Sequence, residues 1–178
     1  MKIQYWISCA ATAIAMAGCD AVLTKTPVSI DVTDGLKSDL EGQWKNEEGD
    51  LLLVKFSDEG TGEISWVEDE ETKKADLRAV KKGDWIYLSF LPKDSDSDET
   101  FWFFGACQLE NEDTLWIYLP QIKEFQNLIS TGKLKGEIEK QRYSTMLRID
   151  KGTDVVELIS EDPEKFLKKG EESLTRVK

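Results

Sequence analysis

From Gly42 onward the chain alternates short runs of β-branched and aromatic residues with turns that contain glycine or aspartate. This rhythm predicts an all-β sandwich or barrel. The candidate strands are 51–57 (LLLVKFS), 61–68 (TGEISWVE), 73–80 (KKADLRAV), 84–91 (DWIYLSFL), 100–109 (TFWFFGACQL), 114–119 (TLWIYL), 143–150 (YSTMLRID) and 153–159 (TDVVELI). Turns such as EEGD, SDEG, KKGD and DKGT suit antiparallel reversals, so sequential hairpins are the simplest connection. The expected architecture is mainly β: an antiparallel barrel or strongly curved meander sheet of about eight or nine strands. Two helices complete it. The first spans 121–131, where Ile122, Phe125, Leu128 and Ile129 form one stripe and Gly132 follows. The second is expected over 163–174, with Asp162-Pro163 as cap and first turn and Phe166, Leu167 and Leu174 facing the sheet.

Three strands break the in-out alternation of a half-exposed sheet. Ile86, Leu88 and Phe90 share one face of 84–91, while Trp85, Tyr87 and Leu91 share the other. Phe101 and Phe103 oppose Trp102 and Phe104, and Leu115, Ile117 and Leu119 oppose Trp116 and Tyr118. Strands apolar on both sides are buried on both sides. One face fills an interior; the other must meet helices, a ligand, a partner or a membrane surface. If left bare, Trp85, Tyr87, Trp102, Phe104, Trp116 and Tyr118 would form a binding surface.

The first residues follow a different pattern. Lys2 precedes an apolar run of small residues, 7–17 (ISCAATAIAMA), too short to span a bilayer and consistent with a signal peptide. At its end, Met16-Ala17-Gly18-Cys19 resembles the bacterial lipobox, in which small residues precede a cysteine that receives diacylglycerol before cleavage. Leucine is usual where Met16 stands, and methionine is likewise apolar and unbranched. The resemblance implies a lipoprotein: 1–18 is a signal peptide, Cys19 carries the acyl chains, and the body faces the periplasm from a membrane. Asp20 resembles the residue that retains a lipoprotein at the inner membrane, so inner is expected over outer. Residues 19–38 mix polar residues with Pro27 and Gly35 and read as a lipidated tether, with a short strand at 28–32. Residues 39–178 form a single β-rich domain.

A second resemblance lies in LEGQW, 40–44, which is similar to the opening of calycin-type, lipocalin-like barrels. There a Gly-x-Trp begins the first strand, and its tryptophan closes one barrel end against a late basic residue. Gly42 and Trp44 match, and Arg148 is the first candidate partner, with Arg142 second. A helix at 121–131 departs from that pattern, because lipocalins place theirs after the eighth strand.

Charge narrows the function. The chain carries 35 acids against 23 bases, a net charge of −12, and loss of residues 1–18, with one lysine and no acid, makes it −13. Nucleic acid is therefore repelled and a basic partner favoured. Histidine is absent, which removes the commonest acid-base group near neutral pH and the commonest metal ligand. Asp94, Asp96 and Asp98 alternate like calcium ligands, but an EF-hand loop needs glycine at Glu99 and an acid at Gly105. They read as a solvated hairpin loop, and no metal or cofactor is expected. Cys107, between Phe104 and Leu109, reads as a buried small hydrophobe without a base to activate it. The reading is a lipid-anchored, non-enzymatic binding or accessory lipoprotein, taking either a small apolar ligand or a protein partner. The alternatives are an acidic inhibitor of a cationic envelope protein such as a lysozyme-type enzyme, and a carboxylate-dependent hydrolase. Whether a barrel interior is hollow or filled is not written in the strand pattern.

Overall fold

The computed structural model describes residues 20–29, 35–57, 61–68, 70–93 and 100–178. The signal segment, Cys19 and the loop carrying Asp94, Asp96 and Asp98 lie outside the described residues. Eleven strands are joined in one sheet: β1 (Ala21–Thr24), β2 (Gly42–Lys45), β3 (Leu51–Phe56), β4 (Gly62–Glu68), β5 (Glu71–Lys82), β6 (Trp85–Pro92), β7 (Trp102–Asn111), β8 (Thr114–Pro120), β9 (Gly136–Lys140), β10 (Thr145–Ile149) and β11 (Leu167–Arg176). Four helices accompany them: α1 (Leu36–Leu40), α2 (Ile122–Ser130), α3 (Gly152–Ile159) and α4 (Pro163–Phe166).

Eight strands close on themselves as an antiparallel barrel in the order β6, β5, β4, β3, β2, β11, β8, β7, with β7 returning to β6. Consecutive hairpins carry β2 through β8, as the turn signals predict. Closure falls to β11, which pairs with both β8 and β2. This corrects the expected helix over 163–174. Pro163 starts only the single turn α4, and the polar run 168–172 (KKGEE) conceals the strand that follows. Without β11, the edges of β2 and β8 would lack partners, and full closure is what removes such edges.

A second correction concerns 153–159, which is α3 rather than a strand. Gly152, Val155, Val156 and Ile159 are buried, a helical spacing that outweighs the strand preference of two valines. Gly152 is required by close approach: a Cβ there would stand 2.7 Å from the Thr26 carbonyl oxygen. The third correction is the tether. β1 begins at Ala21 and pairs in parallel with β10 and antiparallel with β7, and the Asp20 carboxylate accepts a hydrogen bond from Thr145 N at 2.7 Å. Lys25 Nζ meets Asp150 at 2.9 Å, and Gly152 N donates to Thr26 O at 3.1 Å. The segment just after Cys19 is thus part of the folded body.

One barrel end is latched. Gly42 has φ 133°, which glycine tolerates, and Trp44 two residues later is fully buried, its indole N–H donating to Leu40 O at 2.8 Å. The guanidinium over Trp44, 4.4 Å from the ring, belongs to Arg176 at the end of β11. It also donates to Glu41 O at 2.6 Å, Asp39 O at 2.7 Å, Ser38 O at 3.1 Å and Glu112 O at 3.1 Å. A cation thereby satisfies the carbonyls at the C-terminus of α1, whose Leu36 and Leu40 plug the barrel floor. Arg148 is not the partner expected of it. It lies on β10, outside the barrel ring, where it pairs with Glu139 at 3.0 Å and covers Phe101. Arg142 covers Tyr143 in the β9–β10 turn.

Replacing Arg176 by alanine is expected to cost about 2–3 kcal/mol, from charge-assisted hydrogen bonds and the cation–π contact. Arg176→Lys should recover only part of it, because an ammonium cannot span four carbonyls. Urea unfolding should rank Arg176→Ala well below Arg148→Ala in stability.

Candidate functional site

The two-faced strands build two cores. Inward from the ring lie Leu52, Val54, Trp66, Leu77, Ile86, Leu88, Phe90, Cys107 and Leu115. Outward from β6, β7 and β8 lie Tyr87, Phe104 and Ala106, covered by Phe125 and Leu128 of α2, Val155, Val156 and Ile159 of α3 and Phe166 of α4. The ribbon β1–β10–β9 completes this roof with Val22, Leu147 and Ile149. Phe104 and Phe125 rings stand 5.9 Å apart and Phe125 and Phe166 rings 6.0 Å, in tilted and edge-on contacts that aromatic pairs favour.

The six aromatic residues of the candidate binding surface therefore have separate fates. Tyr87 and Phe104 are buried beneath the roof and closed to any partner. Trp85 and Tyr118 meet edge to face at 4.6 Å, and Tyr118 Oη donates to Gln108 at 2.7 Å. Trp102 lies under Arg78, and Trp116 under the Lys169 ammonium at 3.5 Å while its indole N–H donates to Glu110. These four are part-buried and engaged within the protein. The helices and ribbon, rather than a foreign surface, cover most of the outer face.

The inner face does not fill its space. A cavity of about 280 Å³ remains inside the ring, walled by Leu52, Trp66, Leu77, Phe90, Ile117 and Leu119 among others. Among the described residues, its charged lining residues are Lys168, Lys169 and Glu171, all from β11 and all exposed. They border the largest irregularity of the barrel: Lys169 faces Tyr118 and Ser173 faces Trp116, so three residues of β11 stand opposite Ile117 alone. The ladder is interrupted there, and the exposed lining residues of β11 put the mouth of the cavity beside it. No periodicity within 167–176 marks this opening; the clue in the sequence is Gly170 within a polar run, set between Leu167 and Leu174.

Among the described residues, no cluster of three metal-binding side chains is present. Cys107 is fully buried in the inner core, and burial, with Asp39 nearby, pushes its thiol well above the ordinary cysteine range. It is a packed part of the inner core. Apart from the charged stretch of β11, the described lining of the cavity is apolar. No protein-family model matches the chain, and no curated protein or solved structure is significantly similar to it. What the geometry defines is a class: a closed eight-stranded antiparallel barrel with an apolar chamber and a charged mouth.

Tyr87 gives a stability test of the outer core. Its hydroxyl is buried without a hydrogen-bond partner among the described residues, and burial pushes its pKa from 10.0 up to about 12. The neutral phenol is thus favoured in the folded state, so its contribution is intact below pH 10 and lost as pH rises toward 12. Tyr87→Phe should be as stable as the parent or more so by up to about 1 kcal/mol, because it removes an unsatisfied polar atom. It should also flatten the alkaline fall in stability, read by urea unfolding between pH 8 and 11. For Cys107, a thiol reagent such as dithionitrobenzoate should react only upon unfolding.

Proposed function

We propose that this chain is a lipid-anchored, non-enzymatic binding lipoprotein facing the periplasm, whose barrel carries a small apolar ligand. The observation that carries the reading is the apolar cavity inside the closed ring, with its described charged lining residues confined to β11. Ligand sites are characteristically concave, mostly apolar and furnished with a few placed polar groups. The rival reading of the outer aromatic face as a protein-docking surface loses ground, because helices α2, α3 and α4 and the β1–β10–β9 ribbon cover its centre. The resemblance to lipocalin-like barrels gains support from Trp44, Gly42 and a late arginine, Arg176. The helices and ribbon strands inserted between β8 and β11 remain a departure from that pattern.

Anchoring rests on Met16-Ala17-Gly18-Cys19 and the short apolar run before it. Acyl chains bury methylenes at ~0.8 kcal/mol each, so a multiply acylated terminus holds the body at a membrane without help from the domain. Asp20 favours the inner membrane. Cys19→Ser should abolish both fatty-acid labelling and recovery in the membrane fraction; a labelled or membrane-bound Cys19→Ser protein would refute the anchor.

The binding reading is tested by native mass spectrometry of the mature protein released from its own membrane. A retained small molecule is expected, and Ile117→Trp, which grows into the cavity from its wall, should release it. Retention of a protein partner in its place, unaffected by Ile117→Trp, would overturn the reading.

A further inference from the structure

The cavity also specifies what kind of guest it takes, an inference that rests on the binding reading above. Its walls are hydrocarbon, and among the described residues every charge in its lining comes from the 168–171 stretch of β11. A wholly apolar guest would make no use of that asymmetry, whereas an amphiphile would bury its chain against Trp66, Leu77 and Phe90 and leave its head at β11. Volume limits the chain. About 280 Å³ lies at the small end of ligand pockets, ~300–1,000 Å³, which suits one alkyl chain and not the paired chains of a phospholipid.

The sign of the head follows from the ladder. Lys168 stands directly opposite Leu119, and directly paired residues of antiparallel strands project to the same face. Leu119 lines the cavity, so Lys168 is set on the inward face at its mouth. The other charged residues are already occupied: the Lys169 ammonium sits 3.5 Å from the Trp116 ring centre, and Glu171 is engaged in an interaction of its own. Among the described residues, Lys168 has no ion-pair partner. We infer that the barrel binds a single-chain amphiphile with an anionic head, its chain in the cavity and its head paired with Lys168.

The test uses the full chain kept in solution by an amphipathic polymer, so that no detergent monomer competes. The neutral fluorophore N-phenyl-1-naphthylamine reports cavity occupancy and is displaced at pH 8 by dodecanoate, dodecanol or dodecyltrimethylammonium. Dodecanoate should displace it at concentrations roughly three- to fivefold lower than dodecanol, the gain expected of a partly exposed ion pair, and the cation should be weakest. Lys168→Gln should erase the difference between dodecanoate and dodecanol, Lys168→Glu should make the cation the strongest displacer, and added salt should weaken dodecanoate alone. Because Lys168 is exposed, both variants should unfold at the parent's urea midpoint. Equal displacement by all three compounds, indifferent to Lys168→Glu, would overturn the anionic-head inference and leave the apolar cavity standing. Preference for the cation in the parent would likewise overturn it. Failure of all three to displace bound fluorophore would remove the binding reading together with it.

Discussion

The fold depends on β11 reaching both of its neighbours. Antiparallel hairpins carry the chain from β2 to β8 without difficulty, but such a sheet stays open until one strand joins its edges. β11 does this after a detour of α2, β9, β10, α3 and α4, so the joining contact is also the most distant in sequence. Long-range closure costs chain entropy, and the end of β11 supplies a compensating interaction. Arg176 gathers carbonyls of residues 38, 39, 41 and 112 and lies over Trp44. One side chain therefore fixes the C-terminal strand, the floor helix α1, the first barrel strand and the β7–β8 turn in one place. The hollow interior follows from this arrangement, because a ring held by its hydrogen-bonded ladder and a latched floor has no need to be filled.

Filling is instead concentrated outside. Aromatic rings from α2, α4 and β7 stack over the outer faces of β6 and β7, forming a dense second core, while the inner core leaves a cavity. The two faces of one strand thus have opposite roles: Tyr87 and Phe104 add rigidity, whereas Phe90, Ile117 and Leu119 line the chamber. Rigidity on the outside supports a chamber that is open within, since a close-packed roof resists the inward collapse of a void.

Legibility followed the range of the interactions involved. The strands from Leu51 to Leu119 and helix α2 were visible because their periodicity and turns are local. The double-sided apolar runs announced two buried layers, and of the two helices expected as a cover α2 is part of the roof, whereas the segment 163–174 contributes only the turn α4 before becoming β11. β11 was hidden because what makes 167–176 a strand is the pair of waiting edges on β2 and β8, not Lys168, Lys169 or Gly170 themselves. α3 shows the converse. Val155 and Val156 suggested a strand, yet the 152, 155, 156, 159 spacing was present and needed only a core to face. The closing arginine was expected from the Gly-x-Trp resemblance, but choosing Arg148 over Arg176 required knowing which strand belongs to the ring. The cavity was beyond reach altogether, since volume is what remains after packing and no pattern encodes it.

The start of the body connects the chamber to its proposed anchorage. Only Asp20 separates Cys19 from β1, and β1 is held between β7 and β10 while the Asp20 carboxylate binds Thr145 N. A lipid on Cys19 would therefore be joined to a hydrogen-bonded strand instead of a loose tether, and the body would be carried close to the bilayer. The strand that would bear this load belongs to the ribbon roofing the outer core. The mouth, by contrast, is cut between β8 and β11. The proposed anchoring and binding would thus use different strands, so a pull on β1 would load the packed face of the molecule and spare the ladder around the mouth.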